Sequence, residues 1–257
     1  MIGPGLQPTW RGRLWFVLSA ACVALGAHLS LRSPWIAGGI AAAGVCMATF
    51  HLLRRRRVIK TLTGGDPDAV LDLWGPTLDG LPHASTLVPL MAATALAASG
   101  YLERARGMLG RASRGPAWEA AFEHRLLLET MLDAFEGERE AALTKAKELE
   151  ALPLPSADSS LRKRVTALRG ALSALARAFA RQSQAGDAER LEQASKDTPV
   201  LHWALRYAAA IARIERGDQR LAQALLKDAP PWPDESAFSA FHRELSQHAV
   251  ESPPPHP

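Results

Sequence analysis

The sequence predicts an all-α protein in two parts: an N-terminal transmembrane helical hairpin, then an α-solenoid of stacked helical pairs. Three observations carry this. Two uncharged apolar runs lie within the first 53 residues, too close together for any other element between them. From Thr63 onward no stretch alternates apolar and polar residues as a half-buried strand would. Three later segments each place a glycine in a turn, an alanine five residues on and a proline shortly after.

The first run, Leu14 to Leu31, has 18 residues without a formal charge, and the second, Trp35 to Leu53, has 19. At ~1.5 Å per residue they reach about 27 and 28 Å, close to the ~30 Å hydrocarbon core of a bilayer. Only Arg32-Ser33-Pro34 joins them. Proline interrupts helix there, so the runs form an antiparallel hairpin over residues 14–53. Neither run keeps the polar face that a helix of a soluble core retains. A cleaved signal peptide is the competing reading of the first run, with Ala24-Leu25-Gly26 as its small-residue site. The length of that run and the second run immediately behind it favour the hairpin.

Charge orients it. The tail, residues 1–13, carries Arg11 and Arg13; the link carries Arg32; the juxtamembrane segment, residues 54–62, carries Arg54, Arg55, Arg56, Arg57 and Lys60. Basic flanks stay in the cytoplasm, which places both ends inside and the link outside. The same five cations lie at the level of anionic headgroups, each worth about 1 kcal/mol there. Trp10, Trp15 and Trp35 fall near the expected interfaces, where indole is favoured.

The formal charge of +4 and the pI near 9.4 suggest a nucleic-acid binder until their distribution is read. Residues 1–65 hold eight basic side chains and no acid, which leaves 22 basic against 26 acidic residues in 66–257, about −4. A phosphate-binding domain needs its cations on the folded surface, so no nucleic-acid partner is expected. The two cysteines, Cys22 and Cys46, lie in apolar runs, and the eight histidines are scattered with no metal-ligand spacing.

In the remainder, residues 63–250, Asp66 and Pro67 read as a helix N-cap followed by proline at the first helical position. Three segments then repeat: "ASGYLERARGMLGRASRGP" (98–116), "FEGEREAALTKAKELEALP" (135–153) and "ERGDQRLAQALLKDAP" (215–230). The pattern resembles tetratricopeptide repeats, helix–turn–helix units of about 34 residues. The best match uses Ala93, Leu96, Gly100, Ala105, Leu109, Ala112 and Pro116, and the last copy Ala210, Gly217, Ala222, Leu226 and Pro230. The Gly137 copy keeps Ala142 and Pro153 but departs at Thr130 and Asp133. Fainter copies surround Gly65, whose first helix would be Val58 to Gly64, and Gly186, where Leu191 replaces the alanine. The five turn glycines lie 35, 37, 49 and 31 residues apart. The widest interval holds a long helix from about Ser159 to Ser183.

The resemblance spans roughly residues 58–230. It implies a TPR-like superhelix whose concave face, lined by first-helix residues such as Leu90, Thr94 and Ala97, takes a protein or peptide partner. A helix near 235–249 would cap the stack, and residues 251–257 form a Pro-rich tail. No phosphate loop or zinc-protease helix is present, and "LRKRV" (161–165) reads as a solvated helix face. No cofactor, metal, small-molecule substrate or catalytic residue is therefore expected. The expectation is a non-catalytic scaffold or adaptor held in the bilayer, with its repeat domain in the cytoplasm. The Ala/Arg/Leu-rich composition suits a bacterial inner membrane. A periplasm-facing envelope-assembly or chaperone factor is the alternative.

Overall fold

The computed structural model describes residues 34–78, 80–156 and 158–251. The first apolar run, the tail before it and residues 252–257 of the Pro-rich end fall outside them. The described residues form eleven α-helices and one short 3₁₀ turn, with no strand among them. The chain divides at Arg57/Val58 into two units.

Helix α1 runs unbroken from Pro34 to Leu62, through the second apolar run and the arginine block. Among the described residues no helix is long and apolar enough to cross a membrane. On α1, Val45, Met47, Phe50, Leu52 and Leu53 are all more than half exposed. Leu62 ends the helix, where the sequence pattern placed the first helix of the faintest repeat.

The second unit is built from helical pairs. Helix α2 (Pro67–Leu78) begins as its sequence indicates: the Asp66 carboxylate accepts the backbone N–H of Asp68 at 3.0 Å and of Ala69 at 3.2 Å. Then follow α3 (Ala84–Ala98), α4 (Leu102–Ala112), α5 (Phe122–Glu136), α6 (Arg139–Ala151), α7 (Ser159–Phe179) and α8 (Asp187–Asp197). A 3₁₀ turn (Pro199–Leu201) leads into α9 (His202–Glu215), α10 (Gln219–Leu226) and the last helix, α11 (Ala237–Glu251). Antiparallel partners pack as α3 with α4, α5 with α6, α7 with α8 and α9 with α10.

The turns explain the glycines. Gly65, Gly100, Gly137, Gly186 and Gly217 all have φ between +78° and +87°. At Gly100, Gly137 and Gly217 the following N–H reaches back five residues, Tyr101 to the Leu96 carbonyl, Glu138 to Asp133 and Asp218 to Arg213. This is the Schellman closure, which needs a left-handed residue after the helix end. The residue five positions beyond each turn glycine is buried: Ala105, Ala142, Leu191 and Ala222 at 0 % exposure and Val70 at 4 %. It is where the second helix presses on the first.

The third pair departs from the expected register. Helix α7 stops at Phe179, short of Ser183, and its Schellman residue is Arg181 at φ 60°, with the Gln182 N–H on the Arg177 carbonyl. Gly186 instead precedes α8 as its N-cap. Counted by the residues that end the first helices, the spacing from Gly100 through Gly137 and Arg181 to Gly217 becomes 37, 44 and 36. The longest interval, from Gly137 to Arg181, holds the 21-residue α7.

One register position does the polar stitching: four residues before each Schellman residue stands Leu96, Asp133, Arg177 or Arg213. Asp133, 4 % exposed, accepts from Arg106 of α4 at 2.7 Å and Lys145 of α6 at 2.6 Å. Arg177 donates both nitrogens to Asp187 at 2.9 and 2.7 Å, and Arg213 reaches Glu192 of α8. The Asp133 departure noted in the sequence is thus one of these ion-pair centres. Thr130 is buried too, its hydroxyl donating to the Leu126 carbonyl at 2.7 Å.

The first helices α3, α5, α7 and α9 contact each other in succession, and α9 also reaches α3. The set closes on itself. Helix α11 packs on α9 and α10, and its Phe238 and Phe241 join Phe135, Phe179, Tyr207 and Trp232 in an aromatic cluster. It includes edge-to-face pairs such as Phe135 with Phe238 (5.4 Å, 84°) and Trp232 with Phe238 (5.1 Å, 83°). The Trp203 indole donates to the Thr63 carbonyl at 2.7 Å, joining the last pair to the start of the unit.

Candidate partner-binding groove

The residues expected to meet a partner lie in the core. Leu90 and Ala97 have 0 % exposure and Thr94 has 9 %. Thr94 donates its hydroxyl to the Leu90 carbonyl at 3.0 Å, and the same oxygen lies 2.8 Å from His124 Nε2. Burial lowers the pKa of His124, with the neighbouring Glu123 carboxylate opposing, so the imidazole is held neutral at pH 7. The cause of the correction is closure: α3 is covered by α2, α4, α5 and the turn into α9, where an open superhelix would leave its inner side free.

Arg54, Arg55, Arg56, Arg57 and Lys60, the cations expected to orient the anchor, are all exposed on the last turns of α1, and none pairs with a carboxylate among the described residues. No group of three or more potential metal ligands occurs among the described residues. The one extended polar network of the aromatic cluster is internal. Trp232 Nε1 donates to the Tyr207 hydroxyl at 2.7 Å, which in turn lies 3.3 Å from His242 Nδ1. Burial raises the Tyr207 pKa and lowers that of His242, leaving both neutral.

An open surface suited to a partner is found elsewhere, where helix lengths do not match. Helix α7 has 21 residues, against 13 in α6 and 11 in α8, so its first turns outrun both neighbours. Asp158 caps it, accepting the Leu161 N–H at 2.7 Å. Leu161, Val165 and Leu168 stand at i, i+4 and i+7, one face of the helix. Opposite them lie Ala194 of α8 and Pro199 and Val200 of the 3₁₀ turn, with Leu154 at the end nearest α6. Together they bound an open groove of about 1370 Å³.

Its near wall is fixed by Arg169, 4 % exposed, which bonds Glu123 and the carbonyls of Leu152 and Pro153. That anchors the α6–α7 connection, and Leu154 with it. Leu154 and Leu161 are 48 % and 44 % exposed, two of four exposed large apolar side chains outside α1 among the described residues. Arg162, Lys163 and Arg164 follow on α7, exposed and without an ion pair among the described residues, and Lys163 and Arg164 line the groove. The sequence reading took "LRKRV" as a solvated face, and exposed it is. What that reading missed was the four-then-three spacing of Leu161, Val165 and Leu168 running through it. No protein family matches the chain, and no characterised protein or solved structure is significantly similar to it.

Proposed function

We propose that the protein is a membrane-anchored, non-catalytic scaffold. The runs Leu14–Leu31 and Trp35–Leu53 form its two-helix anchor, with both ends cytoplasmic, and a TPR-like helical domain holds a protein or peptide partner near the bilayer. The observation that carries this reading is α1. Its exposed apolar side chains from Val45 to Leu53 lead directly into four exposed, unpaired arginines, the arrangement that a membrane exit on the cytoplasmic side requires. The open groove beside α7 supports the second half of the reading. Anchoring raises the local concentration of the domain for partners at the same membrane.

The test is a pair of reporters fused in turn after residue 257, one active only in the cytoplasm and one only in the periplasm. Cytoplasmic signal alone is expected. Periplasmic signal alone would replace this reading with an envelope-assembly factor. Exchange of residues 1–53 for an unrelated two-helix anchor is expected to preserve function, since the hairpin serves as a tether.

A further inference from the structure

We infer that the groove beside α7 is a docking site for an acidic amphipathic helix of another protein. The inference rests on the scaffold reading and names the chemistry of its partner. Three features select this occupant. The floor is an apolar stripe at i, i+4 and i+7 faced by Ala194, Pro199 and Val200, the spacing that meets an incoming helix carrying its own apolar residues three and four apart. The surface is concave and about 1370 Å³ in volume, whereas a bilayer is flat on this scale and would meet the rim without filling the floor.

The third feature is charge. Residues 66–257 carry about −4 overall, yet Lys163 and Arg164 line the groove, next to Arg162, with no carboxylate paired to any of the three among the described residues. Elsewhere in the unit arginines at helix contacts are paired: Arg106 with Glu136, Arg177 with Asp187 and Arg213 with Glu192. Uncompensated cations beside an apolar slot favour a partner with glutamate or aspartate flanking its apolar stripe, which raises on-rate and fixes orientation. The acids that also line the groove, Glu150 of α6 and Asp197 of α8, form no ion pair with these cations. Asp197 already receives Gln193 at 3.0 Å.

The experiment uses the full chain in neutral detergent micelles and two synthetic 16-residue helical peptides. Both carry leucine at i, i+4, i+7 and i+11; one has glutamate at the flanking positions and the other lysine. Fluorescence anisotropy is expected to show the acidic peptide binding at least about tenfold more tightly than the basic one. Leu161→Glu, and separately the double change Lys163→Glu with Arg164→Glu, are each expected to weaken it about tenfold or more. Both sites are exposed, so the circular dichroism spectrum should not change. Equal affinity for the two peptides, no binding of either, or binding indifferent to both variants would overturn the proposal.

Vesicles containing phosphatidylglycerol supply the competing arm. Sedimentation with them that the same variants abolish, in the absence of peptide binding, would assign the patch to lipid. Concentration-dependent self-association lost in Leu161→Glu would assign it to a second copy. In cells, a photocrosslinker at Ala167, beside the groove, is compared with one at Leu221 on the far-off α10. Crosslinks from position 221 alone leave the scaffold standing and remove the groove. Crosslinks from neither remove both.

Discussion

The hydroxyl of Ser236 donates to the carbonyl of Ser99 at 2.7 Å across 137 residues of sequence. The same oxygen accepts the Phe238 N–H at 3.2 Å as α11 begins, and the Ala237 N–H bonds the Gly100 carbonyl at 2.9 Å. Two hydrogen bonds therefore latch the start of the last helix to the first Schellman turn, and the third caps that helix. The latch holds Phe238, fully buried, against Tyr207 and Trp232. It ties α11 to the set that the α9 contact with α3 closes.

Ser236→Ala tests the latch. It leaves the buried Ser99 carbonyl without its donor and α11 without its side-chain cap, each worth about 1 kcal/mol. Residues 58–257, expressed alone, are expected to be soluble and strongly helical, since they form their own compact unit. In that fragment Ser236→Ala is expected to lower unfolding stability by about 2 kcal/mol, read by urea denaturation. A loss under about 0.5 kcal/mol, the range of an ordinary surface substitution, would show that the latch is not a stabilising contact.

Two glycines with the same backbone separate strain from crowding. Gly100 and Gly137 have φ of +81° and +86°. A Cβ at Gly137 meets nothing within 4 Å, but at Gly100 it lies 2.5 Å from Ser236 Oγ and 3.0 Å from the Phe238 nitrogen. Gly137→Ala therefore carries the left-handed penalty alone, about 1–2 kcal/mol. Gly100→Ala adds displacement of the latch and is expected to cost at least about 2 kcal/mol more. Equal losses in urea denaturation would mean that the α11 junction yields without cost.

How legible this was depended on the distance over which each signal acts. The left-handed glycines, the Asp66-Pro67 start and the buried residue five positions after each turn are local, and the sequence displays them. Arg181 was hidden because a non-glycine residue fills the same φ, while Gly186 a few residues on offered a decoy. The closure was illegible for another reason: no pattern links α9 and the turn before it to α3, so Leu90, Thr94 and Ala97 looked like a free inner face. The groove arises from unequal helix lengths, and these depend on end positions that the sequence marks poorly. Leu161, Val165 and Leu168 were in view, but only the shortness of α6 and α8 exposes them.

Asp187 controls acid sensitivity below the carboxylate range. It is 1 % exposed, and burial works against its charge. Two hydrogen bonds from Arg177, one from the Gln184 N–H and the nearby Arg190 together outweigh that and hold its pKa below the ordinary value. A depressed folded pKa gives stability that is complete above the unfolded value of about 3.9 and is lost as pH falls through the folded one. Asp187→Asn strands the Arg177 guanidinium and is expected to cost about 3 kcal/mol at pH 7. The gap to the unsubstituted protein should narrow below about pH 4. A gap that stays constant down to pH 2 would remove the ion pair as its cause.

Three histidines act in a higher window. Burial lowers the pKa of His124 and His202, opposed by Glu123 in the first case and by the Ser195 carbonyl in the second, and it lowers that of His242. For a lowered imidazole the unfolded chain takes up the proton first, so stability falls as pH drops below about 6.5. The urea midpoint is expected to decline between pH 7 and pH 5, before any carboxylate titrates. Nuclear magnetic resonance of the ring protons should place all three midpoints below about 6.5. A flat midpoint over that interval would show that these rings become hydrated in the folded state.

The arginine block is expected to set topology by charge and not by residue identity. If Arg54–Arg57 hold the end of the anchor in the cytoplasm, replacing all four with lysine keeps the count of cations and should leave the reporter signal after residue 257 unchanged. Replacing all four with asparagine leaves Lys60 as the one basic residue of segment 54–62, while Arg11 and Arg13 still act on the first run. A mixed signal from the two reporters is then expected, because nothing strong retains the second run. Adding four arginines to the Arg32-Ser33-Pro34 link of the asparagine variant should restore a single population with the link inside and the domain outside. A cytoplasmic signal from every variant would mean that these cations do not orient the chain, and would leave binding to anionic headgroups as the role of the block.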